Sequence, residues 1–221
     1  MSQVTVIKYI LRQVLAVIIA VVSAISTFIT GNDYNSSAVS QVDFDHIKSV
    51  YRHLLVGPPD AEAADPVIMQ KAQALASNGL YQQSRLKKDG LIPWLEKEKV
   101  ETSAQISNTY SKTLDMAMAY ACPLASTYKD ESLFNDILYV LDTMHTAYYG
   151  FDVNHLTAFG NWWDWQIGSP MRLVGILILL EENLSRAQID KYLYAVNYFV
   201  PLPQRTSANL VDSAYIVTAA A

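Results

Sequence analysis

From Gln41 onward, apolar positions recur three and four residues apart instead of alternating, and that spacing predicts helices almost throughout. Phe44, Ile47, Val50, Tyr51 and Leu54 mark a first helix, which Gly57-Pro58-Pro59 stops. A second begins near Pro66, turns Val67, Ile68, Ala72, Leu75 and Ala76 inward, and frays near Gly79. Residues 84–101 are charged, hold Trp94 behind Pro93, and read as a connection. Thr102-Ser103-Ala104-Gln105 offers a capping box for a third helix striped by Ile106, Tyr110, Leu114, Ala117, Ala121 and Leu124.

Leu133, Phe134, Ile137, Leu138, Leu141 and Met144 give a strongly amphipathic fourth helix ending near Gly150. A loop from Phe151 to Ser169 follows, and Ser169 as N-cap with Pro170 at the first helical position predicts the next start. The body of that helix, Leu173 to Leu180, is apolar nearly all round, so it should be buried on several sides. Ser185-Arg186-Ala187-Gln188 is another capping box, leading to Ile189, Leu193, Val196 and Phe199 before Pro201 and Pro203 intervene. A last helix, carrying Asn209 near its start, runs toward Ala221, and its Tyr215, Ile216 and Val217 call for partners where the sequence stops. That ending is expected of a piece of a longer chain. The fold class is all-α, made of antiparallel helix hairpins; spacing alone does not choose among bundle, solenoid and toroid.

The first thirty-odd residues follow a different logic. Lys8 and Arg12 precede an uncharged run from Gln13 to Asn32, and Asn35, Ser36, Ser37 and Ala38 begin a polar linker. Residues 1–38 are therefore expected to be a cleaved signal peptide or a retained membrane anchor plus linker, with residues 39–221 forming the helical domain outside the membrane. This would put the protein in a secreted or surface-anchored location, touching membrane only through that segment. Asn35-Ser36-Ser37 and Asn183-Leu184-Ser185 match the glycosylation acceptor pattern, a short one that is common by chance.

Composition narrows the partners. A formal net charge of −5 with no Lys/Arg stripe argues against nucleic acid. Cys122 is the one cysteine, so neither an internal disulfide nor a cysteine-based metal site is possible; beside Pro123 in an apolar stretch it reads as a buried, inert thiol. His46 and His53 lack metal-ligand spacing, and no metal or organic cofactor is called for.

The densest chemistry lies in Gly160-Asn161-Trp162-Trp163-Asp164-Trp165-Gln166-Ile167-Gly168-Ser169-Pro170, which holds three of the four tryptophans. Indole presents an apolar face and one N–H donor, which suits the C–H face and hydroxyl rim of a sugar. Any one of these rings could equally be core, and Trp165 is the one expected to pack inward and hold the loop. Asp164 reads as a structural hydrogen-bonding residue. Tyr148 and Tyr149 sit at a helix end and are expected to pack there. Asn209 alone reads as an ordinary N-cap.

Two of these stretches together closely resemble the polysaccharide lyases grouped with hyaluronate, chondroitin AC and xanthan lyases. Asn161-Trp162-Trp163-Asp164-Trp165-Gln166-Ile167-Gly168-Ser169-Pro170 is similar to one signature, and Ser207-Ala208-Asn209-Leu210-Val211-Asp212 to a second at the expected distance, with Tyr198-Phe199-Val200-Pro201 fitting between. The likeness extends loosely over residues 42–221. It implies a secreted enzyme with an N-terminal α/α-toroid, of which this chain would be an incomplete part, and a tetrad of asparagine, histidine, tyrosine and arginine. Asn209 matches the asparagine, Trp162 and Trp163 the aromatic patch that seats the polymer, and Asn161 a substrate-contacting position. The other three members would follow residue 221; His145 and His155 precede the tryptophans and do not match. Met171 stands where the family often has arginine, with Arg172 one place on, and a phenylalanine some members place before the asparagine is absent.

The implied reaction is β-elimination at a uronic acid, and the implied partner an acidic polysaccharide of the hyaluronan, chondroitin or xanthan class. The C5 proton is a very weak acid while the carboxylate is charged, and an amide donating to that carboxylate stabilises the developing enolate without titrating. Two other readings compete: a non-catalytic glycan-binding module, and a toroidal glycoside hydrolase needing paired carboxylates, for which Asp152 and Asp164 are the nearest candidates.

Overall fold

The computed structural model describes residues 41–59, 65–88, 93–94, 100–150, 158–203 and 205–220, with main chain alone for residues 41–43. The expected targeting segment, Asn35, Asp152 and His155 lie outside these residues. Among those described, seven α-helices and no strands occur: α1 Gln41–Val56, α2 Pro66–Ser84, α3 Ser103–Ala121, α4 Glu131–Ala147, α5 Ser169–Leu180, α6 Arg186–Phe199 and α7 Ser207–Ala220. No helix among them is long and apolar enough to cross a membrane.

Helix α5 is the axis of the packing. Every residue from Leu173 to Leu180 is buried, as the all-round apolar pattern requires, and α1, α3, α6 and α7 surround it. Its C-terminal carbonyls would be orphaned inside this packing. Arg52 of α1 supplies the donor: Nη1 reaches the carbonyl oxygens of Ile178 and Leu179 at 3.2 and 2.9 Å. Its positive charge also suits the negative end of the helix dipole. Nearby, Lys48 pairs with Glu181 at 2.8 Å.

The helix starts follow local chemistry. At α3, Gln105 Oε1 accepts from the main-chain N–H groups of Glu101 and Thr102 at 2.7 and 3.1 Å. At α6, Ser185 and Gln188 close a reciprocal box, with Oε1 accepting from Ser185 N–H at 2.9 Å and Oγ from Gln188 N–H at 3.3 Å. Asp65 and Asp130 cap α2 and α4. Cys122 is buried, as expected.

Three expectations need correction. Helix α2 does not fray at Gly79 but continues to Ser84. Gly79 is buried against Ala119 and the Asp115 carbonyl of α3, with no room for a Cβ, so it permits close approach of two helices and does not end one. Leu54 and Val67 point outward, 46% and 55% exposed; the buried side of α1 includes Val50 and Val56. The third correction concerns the start of the helix that carries the tryptophans.

Candidate functional site

The stretch expected to be loop is already helical at Trp162 and Trp163. Asn161 is the cap: its Oδ1 accepts from Trp163 N–H at 3.1 Å, and its carbonyl from Asp164 N–H at 3.1 Å. Residues Asp164–Gly168 then form a π-turn that leads directly into α5. Ser169 is therefore no N-cap. It is fully buried with helical dihedrals, and its N–H donates five residues back to Asp164. The physical reason is Pro170, which has no N–H to return to residue 166 and whose ring would crowd that carbonyl in a regular α-turn. Widening the preceding turn relieves both problems.

The π-turn separates the three indoles. Trp165 is buried against Tyr149, Phe159 and Phe199 at ring distances of 6.0, 5.5 and 5.1 Å. Its Nε1–H donates to the Phe159 carbonyl at 2.8 Å, while its own carbonyl accepts from the Tyr149 hydroxyl at 2.9 Å. Trp165 thus anchors the segment, and Tyr149 packs inward with it. Burial, reinforced by Tyr110, raises the Tyr149 pKa well above that of an ordinary phenol. Trp162 is 41% exposed and Trp163 half-buried.

Asp164 is structural. It is buried and accepts from the Ser103 hydroxyl at 2.6 Å, and that hydroxyl accepts in turn from Asn161 N–H at 2.9 Å. The relay fixes the tryptophan segment to the first residue of α3. Gly160 precedes it at φ +68°, a left-handed backbone that glycine adopts without strain, with Ser103 Oγ against its open side.

Both outward indoles carry a guanidinium. Arg172 lies 5.7 Å from the Trp163 centroid, with Nη1 donating to Ser107 Oγ at 2.9 Å and the Gly168 carbonyl at 2.6 Å. Burial lowers its pKa from the ordinary value, and Asp164 opposes that shift. Arg205, from the segment before α7, stacks 4.1 Å from the Trp162 centroid and donates through Nη2 to Gln166 Oε1. Sequence reading missed both roles. Arg205 meets Trp162 through the tertiary fold, whereas Arg172 and Trp163 share one continuous helical run whose π-turn decides which side chains fall on the same face.

Asn209 is half-buried in the first turn of α7, two residues inside it, and so is not the N-cap considered for it. Helix α7 packs against the π-turn and α5. Burial raises the Asp212 carboxyl pKa one turn further along. Asn161 is exposed, with its Oδ1 engaged in the cap. His46 is exposed and His53 half-buried on α1, away from this segment.

Comparison with known proteins agrees with this architecture. Over 177 residues the chain is 30% identical to a xanthan lyase of Bacillus sp. strain GL1, covering 79% of this chain and 19% of the relative. It is 26% identical over 184 residues to a hyaluronate lyase of Enterococcus faecalis, covering 80% and 18%. Among solved structures, a Paenibacillus xanthan lyase matches with a TM-score of 0.75 at 27% identity, over 81% of this chain and 17% of that one. A Streptomyces coelicolor chondroitin AC lyase, solved with chondroitin sulphate, matches with a TM-score of 0.70 at 25% identity, over 80% and 24%. The chain thus spans about a fifth of the length of these relatives. Its helix hairpins have the arrangement of part of an α/α-toroid. Residues 52–221 match the polysaccharide lyase family 8, N terminal alpha-helical domain, and the chain belongs to that family.

Proposed function

We propose that this chain forms the sugar-seating helical part of an extracellular lyase that cleaves an acidic polysaccharide by β-elimination at a uronic acid. In this reading Trp162 and Trp163 seat saccharide rings, Asn161 contacts a hydroxyl through Nδ2, and Asn209 is the catalytic amide. A base removes the C5 proton, the electron pair forms the C4–C5 double bond, and the C4–O bond breaks as the leaving oxygen takes a proton. Hydrogen bonding from Asn209 to the uronate carboxylate would lower the cost of the second negative charge as the enolate develops. Aromatic seating holds the polymer in register, so positioning contributes to the rate.

The supporting observation is the exposed indole of Trp162, held at a helix start and stacked on a cation within a chain of net charge −5. A core tryptophan would have no use for either feature. The relatives named hyaluronate and xanthan lyase support the acidic class of polymer.

The test is titration of the chain with hyaluronan, chondroitin and xanthan oligosaccharides, followed by tryptophan emission, alongside absorbance of the unsaturated uronate product. The expected result is binding that weakens in Asn209→Ala and Trp162→Ala. The 221-residue chain alone should give no product, because no residue in it has been matched to the base and acid roles. Absence of binding to all three polymers would overturn the proposal, and clear turnover by the isolated chain would overturn the assignment of roles.

A further inference from the structure

We infer that Arg205 is a specificity-determining residue that reads an anionic group, a carboxylate or sulfate, on the sugar seated at Trp162. The inference rests on the proposed function and goes beyond it, because nothing in the tryptophan or asparagine signatures assigns a role to this arginine.

The first ground is charge. The Arg205 guanidinium is half-buried, and no carboxylate lies within ion-pair distance of it among the described residues. Among the described residues its partners are neutral: the Trp162 indole at 4.1 Å and the Gln166 amide oxygen. Asp164, the acidic residue within the tryptophan segment, is occupied by Ser103 at 2.6 Å. A partly desolvated cation without a counter-ion is unfavourable by itself and becomes favourable once an anion arrives.

The second ground is geometry. Stacking on one indole and bonding Gln166 fixes the guanidinium plane, and a guanidinium has five N–H donors, most of them left over. The indole remains 41% exposed. A pyranose lying on that exposed part would bring an acid group at its rim close to the fixed donors. Planar, bidentate recognition of carboxylate or sulfate is what distinguishes this group from a lysine. The third ground is position. Arg205 lies four residues before Asn209, so an anion bound to it also ties the approach to α7 to the tryptophan segment.

The experiment compares the full chain with Arg205→Gln and Arg205→Lys, using hyaluronan oligosaccharides, chondroitin sulfate oligosaccharides and the same hyaluronan oligosaccharides with their carboxyl groups reduced to alcohols. The unsubstituted chain should bind chondroitin sulfate about tenfold more tightly than the neutral ligand, and hyaluronan likewise if carboxylate is the group read, with an affinity that falls as salt rises. Arg205→Gln should lose that preference and most of the salt dependence while binding the neutral ligand within about twofold of the parent. Arg205→Lys, which keeps the charge and loses the fork, should lie between them. If carboxylate is the group read, the two acidic ligands will lose equally; if sulfate is, chondroitin sulfate will lose more. An unchanged ratio of chondroitin sulfate to neutral-ligand affinity in Arg205→Gln would overturn the inference while leaving the proposed function standing. Failure of the unsubstituted chain to bind any of the three would overturn both.

Discussion

The hydroxyl of Ser103 donates to the carboxylate of Asp164 across 2.6 Å, joining the first residue of α3 to the first residue of the π-turn. It also accepts from Asn161 N–H, so one small side chain holds the cap and the turn together. Ser103→Ala would leave the buried Asp164 without this donor. The expected loss of stability is about 1–3 kcal/mol, read as a shift of the urea midpoint. A variant as stable as the parent would show that the relay does not hold the segment.

Gly168 faces the six-membered ring of Trp163 and the Ser107 hydroxyl, where a Cβ would clash with both. Gly168→Ala should push the indole outward, cost about 1–3 kcal/mol by overpacking, and weaken oligosaccharide binding. Tryptophan emission should shift as the ring becomes wetter. Unchanged emission and affinity would count against the contact.

Two neighbouring tryptophans should behave in opposite ways. Trp165→Ala opens a cavity among Tyr149, Phe159 and Phe199 and should cost about 3–5 kcal/mol. Trp162→Ala removes an exposed ring and should cost less than about 1 kcal/mol while lowering affinity for acidic oligosaccharides about tenfold. Thermal melts and titrations on the same two variants separate these effects.

Arg52→Ala should leave the Ile178 and Leu179 carbonyls without their donor at the end of the central helix. A loss of about 1–2 kcal/mol is expected, with glycan affinity unchanged because α1 carries none of the residues assigned to sugar binding.

His145 gives the pH dependence. Burial lowers its pKa below 6.5, Lys191 adds to the shift, and Asp142 opposes it, with the Tyr192 ring packed edge-on. The unfolded chain therefore takes up a proton before the folded one does. Stability should be constant above the unfolded value, fall as pH drops from about 6.5 toward the folded value, and level off below that. His145→Gln should remove this contribution to the slope; an identical slope would locate the acid sensitivity elsewhere.

What could be read from sequence was local. The capping boxes at Thr102 and Ser185 and the all-apolar body of α5 follow from spacing within one turn or along one helix, and they appear as expected. The inward place of Trp165 was also legible, because a polar loop with three indoles needs one of them to hold it. The start of the tryptophan helix was not. Ser169-Pro170 carries the signature of a helix beginning, and the same pair also suits a proline relieved by a wider turn upstream. The helical dihedrals of Ser169 and its N–H bond back to Asp164 distinguish the two. Gly79 read as a terminator because close approach to Ala119 is a property of two helices. The stacking of Arg205 on Trp162 joins residues 43 positions apart in the same way, while that of Arg172 on Trp163 follows from the unforeseen π-turn between them.

The wide turn at Asp164–Gly168 has a consequence for how such a surface can diversify. One extra residue per turn rotates everything before it by about 100° relative to the rod that follows. The direction in which the two outer rings point is thus set by winding at one spot, while Leu173–Leu180 stay locked in place. A single-residue deletion there would swing the rings to a new bearing while Leu173–Leu180 keep their places, but Trp165 and the Ser103–Asp164 bond lie inside the same turn and would have to repack with it.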